Sequence, residues 1–94
     1  MKNPIPIETG RIVISKAGRD KGTAYAVLSL PSEDRVLVAD GRTRTCDHPK
    51  KKNVRHLAAR PDRIPELAEE PKAETRRLDE AIRQGLKAAG YLTT

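Results

Sequence analysis

The sequence contains no Phe and no Trp, and only two Tyr. Its core must therefore be assembled from Val, Ile, Leu and Ala. With 36% of 94 residues hydrophobic, that core is thin and belongs to a single small domain. Such a chain has little apolar surface to line a large dry pocket, which argues against a small-molecule enzyme. Stacking platforms of the RRM or OB type need two or three exposed rings, and only Tyr25 falls in the strand-like region, where a core position suits it better. Readout of single-stranded bases by stacking is thereby disfavoured. The only cysteine is Cys46, so no intrachain disulfide can form and a reducing compartment is the simpler assumption. A long apolar run is also missing. Met1 to Ile7 holds one Lys and two Pro and resembles neither a signal peptide nor a membrane span, so a cytoplasmic protein with no membrane partner is expected.

What the sequence has in excess is positive charge. Nineteen Lys and Arg face thirteen Asp and Glu, a formal net charge of +6. Residues 1–60 carry thirteen basic and six acidic side chains, residues 61–94 six and seven, so the excess lies in the N-terminal two-thirds. A local excess of this kind concentrates a polyanion at one surface, as nucleic-acid binding requires.

The pattern along the chain is mainly β. Residues 1–9, with Pro4 and Pro6, form an extended lead-in. Strand-like runs follow at 11–17, 23–30 and 35–39, separated by Gly18-Arg19-Asp20-Lys21-Gly22 and by Pro31-Ser32-Glu33-Asp34, and ended by Asp40-Gly41, a strong hairpin signal. Arg42-Thr43-Arg44-Thr45 alternates in the manner of a fourth strand with both arginines on one wet face. After Lys50-Lys51-Lys52-Asn53, Val54 to Leu57 is long enough for a closing strand. Residues 10–57 are thus expected to form a small barrel or rolled sheet able to fold by itself. Residues 58–72, with Pro61, Pro65 and Pro71, read as a linker. From Ala73 the period changes: Leu78, Ile82, Leu86 and Ala89 share one face, Asp79 and Arg83 are spaced as an i, i+4 pair, and Gly90 suits a C-terminal cap. This predicts an amphipathic helix over 73–89 within a C-terminal segment 73–92.

Gly10, Val13, Gly18, Lys21 and Gly22 stand in the order G-x-x-V-x-x-x-x-G-x-x-K-G, which resembles the KOW motif of ribosomal proteins and transcription elongation factors. Val13 to Gly22, Val36 to Gly41, and Pro49 to Asn53 followed by His56-Leu57 resemble more narrowly the archaeal and eukaryotic large-subunit ribosomal protein group numbered fourteen-e and its short bacterial KOW-domain relatives. The resemblance covers about residues 10–57. It departs from the KOW pattern at Thr23-Ala24-Tyr25, where many members carry a further glycine, and it does not extend to the tail. It implies an SH3-like barrel that binds ribosomal or other structured RNA.

The residues expected to grip RNA fall in three groups. Lys16, Gly18, Arg19, Lys21 and Gly22 form a loop whose glycines allow backbone amides to approach a phosphate beside the cations. Arg42 and Arg44 can bridge phosphates bidentately or stack on bases. Lys50, Lys51, Lys52, Arg55 and His56 gather donors beside a barrel edge, and Asn53 either joins them or holds a turn. Asp20 reads as a brace for Arg19 or Lys21, or as part of the turn. No catalytic constellation and no cofactor motif is visible. Cys46, His48 and His56 are one ligand short of a zinc site. The expected function is therefore non-catalytic, ribosome-associated RNA binding. The alternative is a protein-interaction module that docks through the barrel or through the Leu78, Ile82 and Leu86 stripe of the C-terminal helix.

Overall fold

The computed structural model describes residues 5–69 and 74–91. Five strands, β1 (Arg11–Ser15), β2 (Ala24–Ser29), β3 (Arg35–Ala39), β4 (Lys50–Asn53) and β5 (Leu57–Arg63), form one antiparallel sheet in the order β4-β3-β2-β1-β5. A 3₁₀ turn over Val54–His56 joins the last two strands, and two helices follow, α1 (Glu66–Glu69) and α2 (Thr75–Ala88). The protein is thus a mainly β domain with a C-terminal helix, as its sequence pattern implies. Residues 1–4 of the lead-in, 70–72 of the expected linker, and 73 and 92 of the C-terminal segment lie outside the described residues. No helix among the described residues is long and apolar enough to cross a membrane.

The sheet has two apolar faces, because alternate residues of its strands point to opposite sides. On one side Ile12, Ala24, Ala26 and Ala39 meet Ile64, Leu67, Leu78, Ile82 and Leu86 from the C-terminal segment. On the other, Val13, Tyr25, Val27, Val36, Val38 and Leu57 cluster, flanked by Ile7, Ala59 and Val54 of the 3₁₀ turn. Four of those valines are nonetheless fully buried. A flat sheet would leave them in water, so the strands must curl over their own inner face. Bulges supply the bend: the register shifts between Arg11 and Val13 against β5, and between Val27 and Ser29 against β3.

Two segments depart from the sequence pattern. Residues 42–45 are not a strand. The Asp40 carboxylate accepts the backbone N–H groups of Arg42 and Arg44, both at 2.9 Å, while the Arg44 carbonyl accepts those of Asp40 and Gly41. These local bonds close a compact loop and outcompete the ladder that Arg-Thr alternation would otherwise favour. The fourth strand is instead the lysine run, with Lys51 opposite Leu37 and Lys52 opposite Val36. The closing strand begins at Leu57 and passes through Pro61 to Arg63, well into the segment read as a linker. Proline lacks a ladder donor, but β5 is an edge strand and is irregular at this point, which makes the residue tolerable. Arg11, only 7% exposed, fastens the irregularity by donating to the carbonyls of Pro61 (3.0 Å) and Arg60 (3.4 Å), to that of Pro6, and to the Glu8 carboxylate.

The helix is bound to the sheet by more than its apolar stripe. Asp79 accepts the Cys46 N–H at 2.8 Å, Arg83 donates to the Gly41 carbonyl at 2.6 Å, and Thr75 donates to Asp47 at 3.0 Å. Gly41 sits at φ +80°, and a Cβ there would lie 2.5 Å from the Asp79 carbonyl, so the loop approaches the helix at a distance only glycine allows. The C-terminus of α2 closes in the expected way: Gly90, at φ +87°, donates to Lys87, and Tyr91 donates to Leu86.

Candidate nucleic-acid interface

The loop between β1 and β2 is built around Asp20. Gly18 and Gly22 both adopt positive φ, 88° and 92°, which lets the chain reverse within a few residues. The amides of Lys21, Gly22 and Thr23 donate to the carbonyls of Gly18, Ser15 and Asp20. Those three donors close the loop, so the Lys21 and Gly22 amides are engaged within it. Arg19 and Lys21 are exposed, as is Lys16, whose N–H donates to the His56 carbonyl at 2.7 Å and so fixes the loop beside the 3₁₀ turn. Arg55 and His56 are exposed on that turn, and Asn53 caps it by accepting the Arg55 N–H at 2.9 Å. Of the two roles open to Asn53, the structure displays the turn-holding one.

Asp20 turns inward. Its carboxylate accepts from the Tyr25 hydroxyl (2.7 Å), the Ser15 hydroxyl (2.9 Å), Lys50 Nζ (3.0 Å) and Lys52 Nζ (3.1 Å). Burial by itself would raise its pKa, but the four donors together outweigh it and hold the group well below the usual carboxylate range. Burial and then the Asp20 carboxylate push the Tyr25 hydroxyl well above its ordinary value, so it remains a donor. Lys52, only 8% exposed, also contacts the Ser15 hydroxyl and is a structural cation. The lysine run is therefore not a uniform basic strip. Alternation along β4 turns Lys50 and Lys52 toward Asp20 and sends exposed Lys51 to the opposite face.

One residue from each of the three basic groups predicted from the sequence lines a common cleft. Arg19 from the first loop, Arg44 from the 40–44 loop and Lys50 from the start of β4 line a cleft of about 350 Å³, together with Asp20, Asp40 and Thr43. Arg42 does not join them. It opens on a separate cleft beside α2, lined also by Arg76 and Arg83, because the tight 40–44 loop splays the two arginines apart where a strand would have aligned them.

Cys46 is half-buried, and burial followed by the neighbouring Asp79 pushes its thiol pKa up to about 12, which keeps it protonated and unreactive. Among the described residues no three His, Cys, Asp or Glu side chains gather as metal ligands. The helix stripe is also committed: Leu78, Ile82 and Leu86 are at most 8% exposed and pack on the protein's own sheet. Sequence reasoning missed the inward role of Asp20 and the cleft itself. The spacing of Ser15, Asp20 and Tyr25 at five-residue intervals was the available signal. A comparison with known protein-family models finds none that matches this chain.

Proposed function

We propose that this protein is a non-catalytic, cytoplasmic RNA-binding protein of the KOW type, associated with the ribosome through the backbone of structured RNA. The observation that carries this reading is the convergence of Arg19, Arg44 and Lys50, from three separate segments, on one cleft. Lys16, Lys21, Arg55 and His56 are exposed as well, and the Lys16 N–H ties the first loop to the 3₁₀ turn that carries Arg55 and His56. Phosphate contacts need cations held on a rigid frame, and the loops here are tied down by Asp20, Asp40 and the helix. The resemblance of residues 10–57 to ribosomal KOW proteins points to the same ligand class.

The test is a salt series. Titration of a structured RNA at four salt concentrations should give a log-log slope equivalent to several phosphate contacts, about 0.7–0.9 each. Replacing Arg19 and Arg44 with Ala should flatten it by roughly one to two units, whereas Lys87→Ala on the far end of α2 should leave it unchanged. Salt-insensitive binding, or no binding at low salt, overturns the reading.

A further inference from the structure

The cleft between the two loops is concave and small. The flank of an RNA duplex, by contrast, is a broad convex surface recognised by shape. At about 350 Å³ the cleft falls at the lower end of the range, roughly 300–1,000 Å³, in which proteins enclose a small ligand. A single nucleotide is of that size and a double helix is not.

The lining chemistry is mixed in a way that a bare phosphate does not need. Arg19 and Arg44 supply positive charge from two different loops, and Lys50 lines the cleft while paired with Asp20 at 3.0 Å. Asp20 does not oppose an incoming anion at full strength, because Lys50 and Lys52 both lie within 3.1 Å of its oxygens. Asp40 is likewise offset by the two amides its carboxylate accepts. What remains beside the cations is a set of oxygen acceptors and hydroxyls, those of Asp40, Thr43 and Thr23. A phosphate calls for the cations, and a ribose 2′-hydroxyl, which donates as well as accepts, calls for the oxygens. One ribonucleotide satisfies both. The cleft lining holds no exposed ring to stack the base, since Tyr25 is 4% exposed and its hydroxyl is bonded to Asp20, so the cleft does not read the identity of the base by stacking.

Resting on the RNA-binding reading above, we infer that this cleft seats one unpaired nucleotide that projects from a structured RNA. Its phosphate lies among Arg19, Arg44 and Lys50, and its ribose lies toward Asp40 and Thr43. Exposed Lys16 and Arg55 are left to contact the flanking helix. The protein then selects bulged or sharply turned RNA over uninterrupted duplex, without preference for the base.

Three synthetic hairpins test this with the full-length chain: one perfectly paired, one with a single bulged uridine, and one with 2′-deoxyuridine at the bulge. The wild type should bind the bulged hairpin about tenfold more tightly than the paired one, and the deoxy substitution should remove several-fold of that gain. Arg44→Gln, verified as folded by its thermal transition, should weaken binding to both hairpins and reduce the preference for the bulged one to about twofold or less. Equal binding of bulged and paired hairpins by the wild type overturns the inference and leaves RNA binding standing. A preference that survives Arg44→Gln also overturns it, by placing the nucleotide elsewhere. Insensitivity to the deoxy substitution removes the ribose contact. Failure to bind any hairpin at low salt overturns the functional reading and the inference together.

Discussion

At the scale of single residues, the decisive distinction is between cations that hold the fold and cations that face solvent. Arg11 and Lys52 belong to the first kind, and composition alone would count them with the second. Asp20 is the residue on which the structural role of Lys52 rests. Asp20→Asn keeps the shape but leaves the Lys52 ammonium, 9% exposed, facing a neutral amide, and should destabilise the protein by about 3 kcal/mol at neutral pH. The pH dependence follows from the sign of the shift. The folded pKa lies below the ordinary 3.8, so the stabilisation is complete above about pH 5 and is lost as pH falls through 4 toward the folded value. Urea unfolding of both proteins from pH 7 to pH 2 should therefore show the difference between them shrinking on the acid side. A constant difference across that range would mean that the charge of Asp20 is not what stabilises the network.

Element-scale effects are clearest in α2, where propensity and packing disagree. Gly85 lies in the last turn of the helix, and replacing a helical glycine with Ala is worth up to about 1 kcal/mol in favour of folding. A Cβ at this position, however, would sit 2.6 Å from Ile64 Cγ1 and 2.8 Å from its Cδ1, and Ile64 is only 2% exposed. Overpacking of this kind costs about 1–3 kcal/mol, so Gly85→Ala should lower the thermal midpoint. Gln84→Ala, at an exposed position one residue earlier, should hold or raise it. If both raise it, the helix is not packed on Ile64 as closely as the structure indicates. The same helix positions the cleft, because Asp79, Arg83 and Thr75 hold the loop that carries Arg44.

Taken as a whole molecule, the domain does not end at residue 57. The helix-facing cluster has nine buried members, and Ile64, Leu67, Leu78, Ile82 and Leu86 all lie beyond that boundary, leaving Ile12 and three alanines. Burying an aliphatic side chain of this size contributes about 1.5–3 kcal/mol, so the five together match the whole stability of a typical small domain. A chain truncated after Ala59 should therefore show neither cooperative unfolding nor a dispersed amide spectrum, and a folded fragment would restore the shorter boundary read from the sequence. Much of the fold was legible before any tertiary contact was known. Expected strands at 11–17, 23–30 and 35–39 match β1, β2 and β3 within two residues at each end, and the helix predicted over 73–89 matches α2. Hairpin turns and apolar periods are local properties, written in neighbouring residues. The charge excess that directs attention to RNA is a sum over side chains and needs no fold at all. Tertiary structure alone decided the rest. Pro61 lies in a strand because that strand is an edge, Arg42 and Arg44 part because Asp40 closes a loop between them, and Lys50 reaches Asp20 because the curl of the sheet brings the start of edge strand β4 to the first loop. Each of these depends on which distant group a side chain meets, and a contact between residues thirty positions apart leaves no period in the sequence.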